Sequence, residues 1–160
     1  MLFGKKTGSL CAPCTGKSMP LSGVPDEAFS GGMLGVGFGV EPADGHICAP
    51  VDGIIESVAE AKHAYTIVTE EGLDVLVHIG VDTVTLGGDG FVPRVKERQY
   101  VKTGDVIADA DIETIREKGL PTTVVVLVTN PEKIENEEYR YGSVSCGRDA
   151  VMRFRFAKKG

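Results

Sequence analysis

Apolar and polar residues alternate with period two over residues 63–69 and again over 73–79, and the acidic, glycine-ended Thr69-Glu70-Glu71-Gly72 separates the two runs. Alternation of this length is a strand signal, and two such runs joined by a short glycine-bearing loop predict a β-hairpin. Residues 122–128 are a continuous β-branched run suited to a strand buried on both faces. Residues 150–156 alternate charged and apolar side chains around Arg153 and Arg155, which predicts an outer strand. Val101-Lys102-Thr103-Gly104-Asp105-Val106-Ile107 reads as a turn feeding a further strand. One segment carries helix signals: Asp111 caps 112–118, Ile112 and Ile115 share a face, and Gly119 stops the helix. The glycine-dense stretch 31–39 cannot be helical and reads as a loop followed by a short strand. Leu10-Cys11-Ala12-Pro13-Cys14-Thr15-Gly16 recurs as Ile47-Cys48-Ala49-Pro50-Val51-Asp52-Gly53, the mark of a duplicated strand-and-turn unit. The expected fold is all-β and antiparallel with one or two short helices. Residues 1–9 are expected to be a flexible N-terminal segment and 10–160 a single domain.

Composition narrows the function. Glycine, at 21 of 160 residues, is about twice its usual share, but it follows no collagen period, and an apolar fraction of 42% is too high for disorder. No apolar run approaches the roughly 18 residues of a membrane span, so direct membrane insertion is not expected. Seventeen basic against twenty-three acidic side chains, a net charge of −6, argue against nucleic acid or an anionic membrane and for a basic protein partner. Lys5 and Lys6 are followed by no apolar core of a secretory signal. The four cysteines are therefore expected to be reduced thiols in the cytoplasm.

Several partial motifs do not hold. Cys11-Ala12-Pro13-Cys14 has the spacing of a thiol oxidoreductase, but no helix follows to lower the thiol pKa. Gly16-Lys17-Ser18 lacks the glycine five positions earlier that a P-loop requires. The cysteines lack the two matched C-x-x-C pairs of a structural zinc site.

The histidines carry more. His46 sits in a polar turn and reads as solvated, whereas His63 and His78 fall on the two arms of the hairpin. A four-residue loop at 69–72 places them directly opposite, with Cβ atoms about 4.5–5.5 Å apart. A two-residue loop makes them diagonal neighbours, and only an odd loop without a bulge separates them. Leu73, Val75, Val77 and Ile79 form the core side of the second arm, so His78 points away, alongside Leu76 and, across the ladder, Tyr65. Such a pair suits either a half-built zinc site, with Asp74 or Asp82 as the nearest third ligand, or a phosphoryl acceptor with one nucleophilic imidazole and a second donor.

The chain resembles the glucose-type enzyme IIA component of the bacterial phosphoenolpyruvate-dependent sugar phosphotransferase system. The resemblance rests on Ala12-Pro13-x-x-Gly16-Lys17, Pro20-Leu21-x-x-Val24-Pro25-Asp26-x-x-Phe29-Ser30, Ala49-Pro50-Val51-Asp52-Gly53, Val77-His78-Ile79-Gly80-Val81-Asp82-Thr83-Val84, Gly88-Asp89-Gly90-Phe91 and Val101-Lys102-x-Gly104-Asp105. It implies a compact antiparallel β-sandwich or barrel-sandwich hybrid and a cytoplasmic phosphotransferase component. His78 would accept a phosphoryl group from the histidine phosphocarrier protein and pass it to a cysteine on the enzyme IIB domain of a membrane sugar permease. His63 would hydrogen-bond that group and be essential for onward transfer. Asp26 and Asp82 would receive a basic side chain of the phosphocarrier, and Phe29, Met33 and Leu34 would form an apolar collar. The resemblance also allows regulatory protein partners and a zinc ion held by His63 and His78 together with a partner's carboxylate, although no cofactor is required. The sequence departs from the family at Ala61, where a threonine commonly serves the first histidine, at Val36, often aspartate, and at Ala59, where an aromatic can occur. A zinc-dependent hydrolase on a related duplicated β scaffold is the alternative, and it lacks the additional histidine pair such enzymes use. A lipoyl- or biotin-type carrier lacks the modified lysine.

Overall fold

The β-branched run becomes the strand Val124–Val128, buried along its whole length, and the rest of the sheet is laid around it. The structure, a computed structural model, describes residues 6–157. In chain order its elements are β1 (Thr7–Cys11), β2 (Gly16–Pro20), a 3-10 turn at Leu21–Gly23, α1 (Glu27–Ser30), β3 (Val36–Pro42), β4 (His46–Cys48), β5 (Gly53–Val58), β6 (Ala64–Val68) and β7 (Asp74–Ile79). After a second 3-10 turn at Thr83–Leu86 come β8 (Phe91–Pro93), β9 (Tyr100–Val101), β10 (Val106–Ala110), α2 (Ile112–Glu117) and β11 (Val124–Val128). A third such turn at Pro131–Lys133 leads to β12 (Ile134–Tyr139), β13 (Gly142–Val144) and β14 (Ala150–Phe156).

An eight-stranded sheet has the order β13-β2-β3-β11-β7-β6-β5-β9, and two three-stranded sheets have the orders β1-β14-β12 and β4-β10-β8. The pairings are antiparallel, as expected. The helix at α2 also forms where its signals lie: Asp111 accepts from the Thr114 amide, Ile112 and Ile115 are buried, and Gly119 follows at φ +73. The main core gathers Val75, Val77 and Ile79 of β7, Val124, Val126 and Val128 of β11, Tyr65 and Ile67 of β6, and Phe38 of β3.

The repeated segments bond to each other reciprocally. The Cys11 amide donates to the Pro50 carbonyl at 2.9 Å and the Cys48 amide to the Pro13 carbonyl at 2.7 Å. Each copy then closes on a glycine turn: Gly147 donates to Ala12 and Gly104 to Ala49, both at 2.9 Å. The duplication seen in the sequence is thus a duplicated set of backbone bonds, which also satisfies buried amides that no regular ladder reaches.

Three expectations change. β14 is the middle strand of its sheet, not an outer one; the Arg153 and Arg155 alternation marks a solvated face, with Val151, Met152 and Phe154 buried behind it. Cys48 and Cys146, 98 residues apart with Cα atoms at 6.4 Å, are joined in a disulfide, while Cys11 and Cys14 are free. The reduced-thiol reading therefore fails for one pair, because only the folded turns bring those sulfurs together. Thr7 to Ser9, expected to be flexible, pair with β14; residues 1–5 of that segment lie outside the described residues.

Candidate functional site

The histidine hairpin forms one register away from the four-residue-loop expectation. Ala64 pairs with His78, Tyr65 with Val77 and Val68 with Asp74, so the loop holds five residues, 69–73. The loop is closed by its own polar groups: Leu73 donates its amide to the Thr69 hydroxyl at 3.0 Å, and Gly72 donates to the Thr69 carbonyl at 2.9 Å. This odd register moves Tyr65 to the core, fully buried, where its hydroxyl donates to the Lys62 carbonyl at 3.1 Å. Continued regularly, it would also send His63 to the Ile79 side. The regular strand instead begins at Ala64, and the left-handed Lys62 (φ +64) precedes His63. At this strand end the His63 ring lies 4.9 Å from the His78 ring, nearly perpendicular to it at 87°.

His78 is set by the turn that follows it. Gly80 takes φ +75, and a Cβ there would stand 2.5 Å from Thr83 Cγ2, so a side chain is excluded on both counts. The turn brings the Gly80 carbonyl 2.7 Å from His78 Nδ1. A carbonyl only accepts, so Nδ1 carries the proton and Nε2 the lone pair. Burial lowers the His78 pKa, against the opposing pull of the Gly80 carbonyl, Asp26 and Asp82. His63, 8% exposed, is lowered to about 4 by burial and then by His78. Both imidazoles are therefore neutral near pH 7, and His78 presents an unprotonated Nε2. Among the described residues His63 Nδ1 is buried without a hydrogen-bond partner, and Ala61 has no hydroxyl to offer it.

The face around His78 is not bare. Val125 pairs with His78 across the ladder, and Val24, Phe29, Val81, Val125 and Leu127 form a second, smaller apolar cluster on that side. Asp26 caps α1 by accepting from the Ala28 amide at 2.8 Å, which turns Phe29 down so that its ring stands 5.0 Å from His78. Met33, 84% exposed, and Leu34 follow α1 in the open. Asp82, left-handed at φ 60, starts the 3-10 turn that presents the exposed Val84.

Residues 8–134 match the family model described as phosphoenolpyruvate-dependent sugar phosphotransferase system, EIIA 1. The chain belongs to this enzyme IIA family. It is 37% identical over 145 residues, 90% of this chain and 88% of the relative, to the PTS system glucose-specific EIIA component of Oceanobacillus iheyensis. It is 44% identical over 151 residues to the PTS system glucose-specific EIICBA component of Streptococcus pneumoniae, of which it spans only 21%. The glucose permease IIA from Mycoplasma capricolum superimposes with a TM-score of 0.85 at 34% identity, covering 96% of this chain and 99% of that one. The antiparallel β architecture with two short helices is that of the family, and the chain is a phosphotransfer component of the glucose type.

Of the residues that the enzyme IIA resemblance singled out, His63, His78 and Phe29 are in ring contact, and Asp26 and Asp82 lie close enough to act on His78. Met33 and Leu34 are exposed just beyond α1. Val84, Val81 and Val125 were not singled out; Val125 lies in a run that reads as core, and its face follows only from the register. Asp74, weighed as a zinc ligand, pairs with Val68 at the far end of β7 from His78. Among the described residues no group of three His, Cys, Asp or Glu could hold a metal ion. The pair alone supplies two imidazole ligands, short of the three protein ligands a catalytic zinc site needs. No helix of the described residues is long and apolar enough to cross a membrane.

Proposed function

We propose that His78 carries the phosphoryl group in a relay from the histidine phosphocarrier protein to a cysteine on the enzyme IIB domain of a glucose permease, on the cytoplasmic side. The observation that supports this most directly is the His78 Nδ1–H bond to the Gly80 carbonyl, which leaves Nε2 unprotonated beside a second neutral imidazole. In the first transfer the Nε2 lone pair forms an N–P bond as the donor's N–P bond breaks, and that electron pair returns to the donor imidazole. In the second, the cysteine thiolate forms an S–P bond and the pair returns to His78 Nε2, so no proton need leave His78 and no metal or nucleotide takes part. His63 hydrogen-bonds the phosphoryl oxygens and aligns them for the second transfer. Phe29, Met33, Leu34 and Val84 form an apolar collar that excludes water, and Asp26 and Asp82 receive basic side chains of the donor. Residues 10–160 act as one domain. The EIICBA relative, named as one chain of three parts, supports a permease partner.

Incubation with phosphoenolpyruvate, enzyme I and the phosphocarrier tests the reading. Wild type takes up one acid-labile phosphate. His78→Ala takes up none, and normal uptake by that variant sinks the assignment. His63→Ala retains uptake and loses delivery to the IIB cysteine.

A further inference from the structure

The turn leading into the histidine strand contains a residue its backbone does not call for. Lys62 has φ +64, a left-handed conformation that glycine and asparagine adopt readily and a long side chain resists. The turn is secured through its main chain: Lys62 donates its amide to the Ala59 carbonyl at 2.8 Å, Ala59 donates to the Ala64 carbonyl at 2.9 Å, and the Lys62 carbonyl accepts from the Tyr65 hydroxyl. A glycine or asparagine would make the same bonds, so they do not account for a lysine. A non-glycine residue held in this conformation beside a reacting group points to a use for its side chain.

The stem lies against the loop at Gly88: a Cβ built on that left-handed glycine (φ +98) would be in ordinary contact with Lys62, 3.5 Å from Cδ and 3.8 Å from Cε. The Lys62 side chain is exposed, and among the described residues its ammonium is in no ion pair. Acidic groups dominate on the other side: Asp26 and Asp82 both act on His78. A phosphoryl group brings close to two further negative charges to a site that already has two carboxylates. A cation next to His63 in the chain, on a flexible four-carbon stem, complements that charge.

We propose that Lys62 is a phosphoryl-binding residue, its ammonium swinging from the Gly88 loop to meet the phosphoryl group on His78. This rests on His78 being the phosphorylated residue. The left-handed turn aims the stem across Gly88, and the charge holds the group in line with both imidazoles. The interaction is partly screened, so removing it changes the phosphohistidine's lifetime and transfer about three- to tenfold and does not abolish them.

The test uses the full chain, phosphorylated through enzyme I and the phosphocarrier, with Lys62→Asn and Lys62→Arg. Asparagine fits the left-handed turn better than lysine and keeps the fold, with a melting temperature at or above wild type. In low salt, Lys62→Asn is expected to shorten the half-life of the isolated phosphoprotein and slow delivery to the IIB cysteine by about three- to tenfold. The gap closes as salt rises to about 0.5 M, and Lys62→Arg restores both. Wild-type half-life in Lys62→Asn overturns the proposal, and so does a deficit confined to the KM for one partner, which is a docking contact. A wild-type chain that takes up no phosphate on His78 overturns the parent reading instead.

Discussion

Val125 and Val126 are neighbours on β11, both fully buried, and they face opposite sides of the sheet. Val126 pairs with Val77 and Phe38 and belongs to the main core. Val125 pairs with His78 and Gly39 and belongs to the five-residue cluster under α1. The side chain and its exposure are the same, and only the layer above differs. On one side that layer is the body of the protein. On the other it is a short turn and a four-residue helix, which hold Phe29 against the histidine. The larger core lies on one face and the proposed transfer site on the other, so stability and transfer should respond separately to matched substitutions.

Val126→Ala gives the largest effect, a loss of about 2–3 kcal/mol from a cavity that the packed core cannot collapse around. The denaturant midpoint falls, and transfer by the folded fraction stays within about twofold of wild type, since the cavity lies away from His78. Val125→Ala costs less, about 1 kcal/mol, because a thin layer can settle onto the gap. Its settling moves Phe29 against His78 and slows phosphoryl uptake about tenfold, since small misplacements are expensive in transfer. Equal stability losses with unaltered transfer in both variants would break the comparison. Phe29→Leu comes next: it keeps most of the volume at a cost below about 1.5 kcal/mol but removes the ring 5.0 Å from His78. The phosphoprotein should then hydrolyse a few-fold faster as water enters; an unaltered half-life places the water barrier elsewhere.

The core face was legible in the sequence and the site face was not. Val75, Val77 and Ile79 announce their side through alternation, and 124–128 through an unbroken apolar run, because burial in a large core tolerates no polar residue at those positions. The histidine pairing depended on one turn, and nothing in Thr69-Glu70-Glu71-Gly72 shows that the Thr69 hydroxyl will cap Leu73 and admit a fifth residue. The resulting slip misplaced Tyr65, while the break at Lys62 still brought His63 to His78. α1, at four residues, is too short to leave a periodic pattern, although its cap, Asp26, was singled out through the resemblance. The Cys48–Cys146 bond spans 98 residues, beyond any local signal, and the position of β14 in its sheet depends on β1 and β12, which no property of 150–156 encodes.

The smallest effect separates the faces by pH. In the unfolded chain His63 titrates near 6.5, whereas in the fold burial and the neighbouring His78 lower it to about 4. Between those values the unfolded state binds a proton that the folded state refuses, so stability falls as pH drops through 6.5 and levels off below about 4. His78 is lowered in the same direction and adds to the slope. The core face contributes none of it, because burial raises Tyr65 to about 12 and also raises Cys14, both far above this window. His63→Gln should therefore flatten the decline in stability between pH 7 and pH 5, and Val126→Ala should lower stability equally at both. Ring resonances followed by NMR locate the midpoint directly. A His63 midpoint near 6.5, or a His63→Gln slope equal to wild type, means the imidazole is solvated, and the site face then lacks the dry, neutral pair on which separate use of the two faces depends.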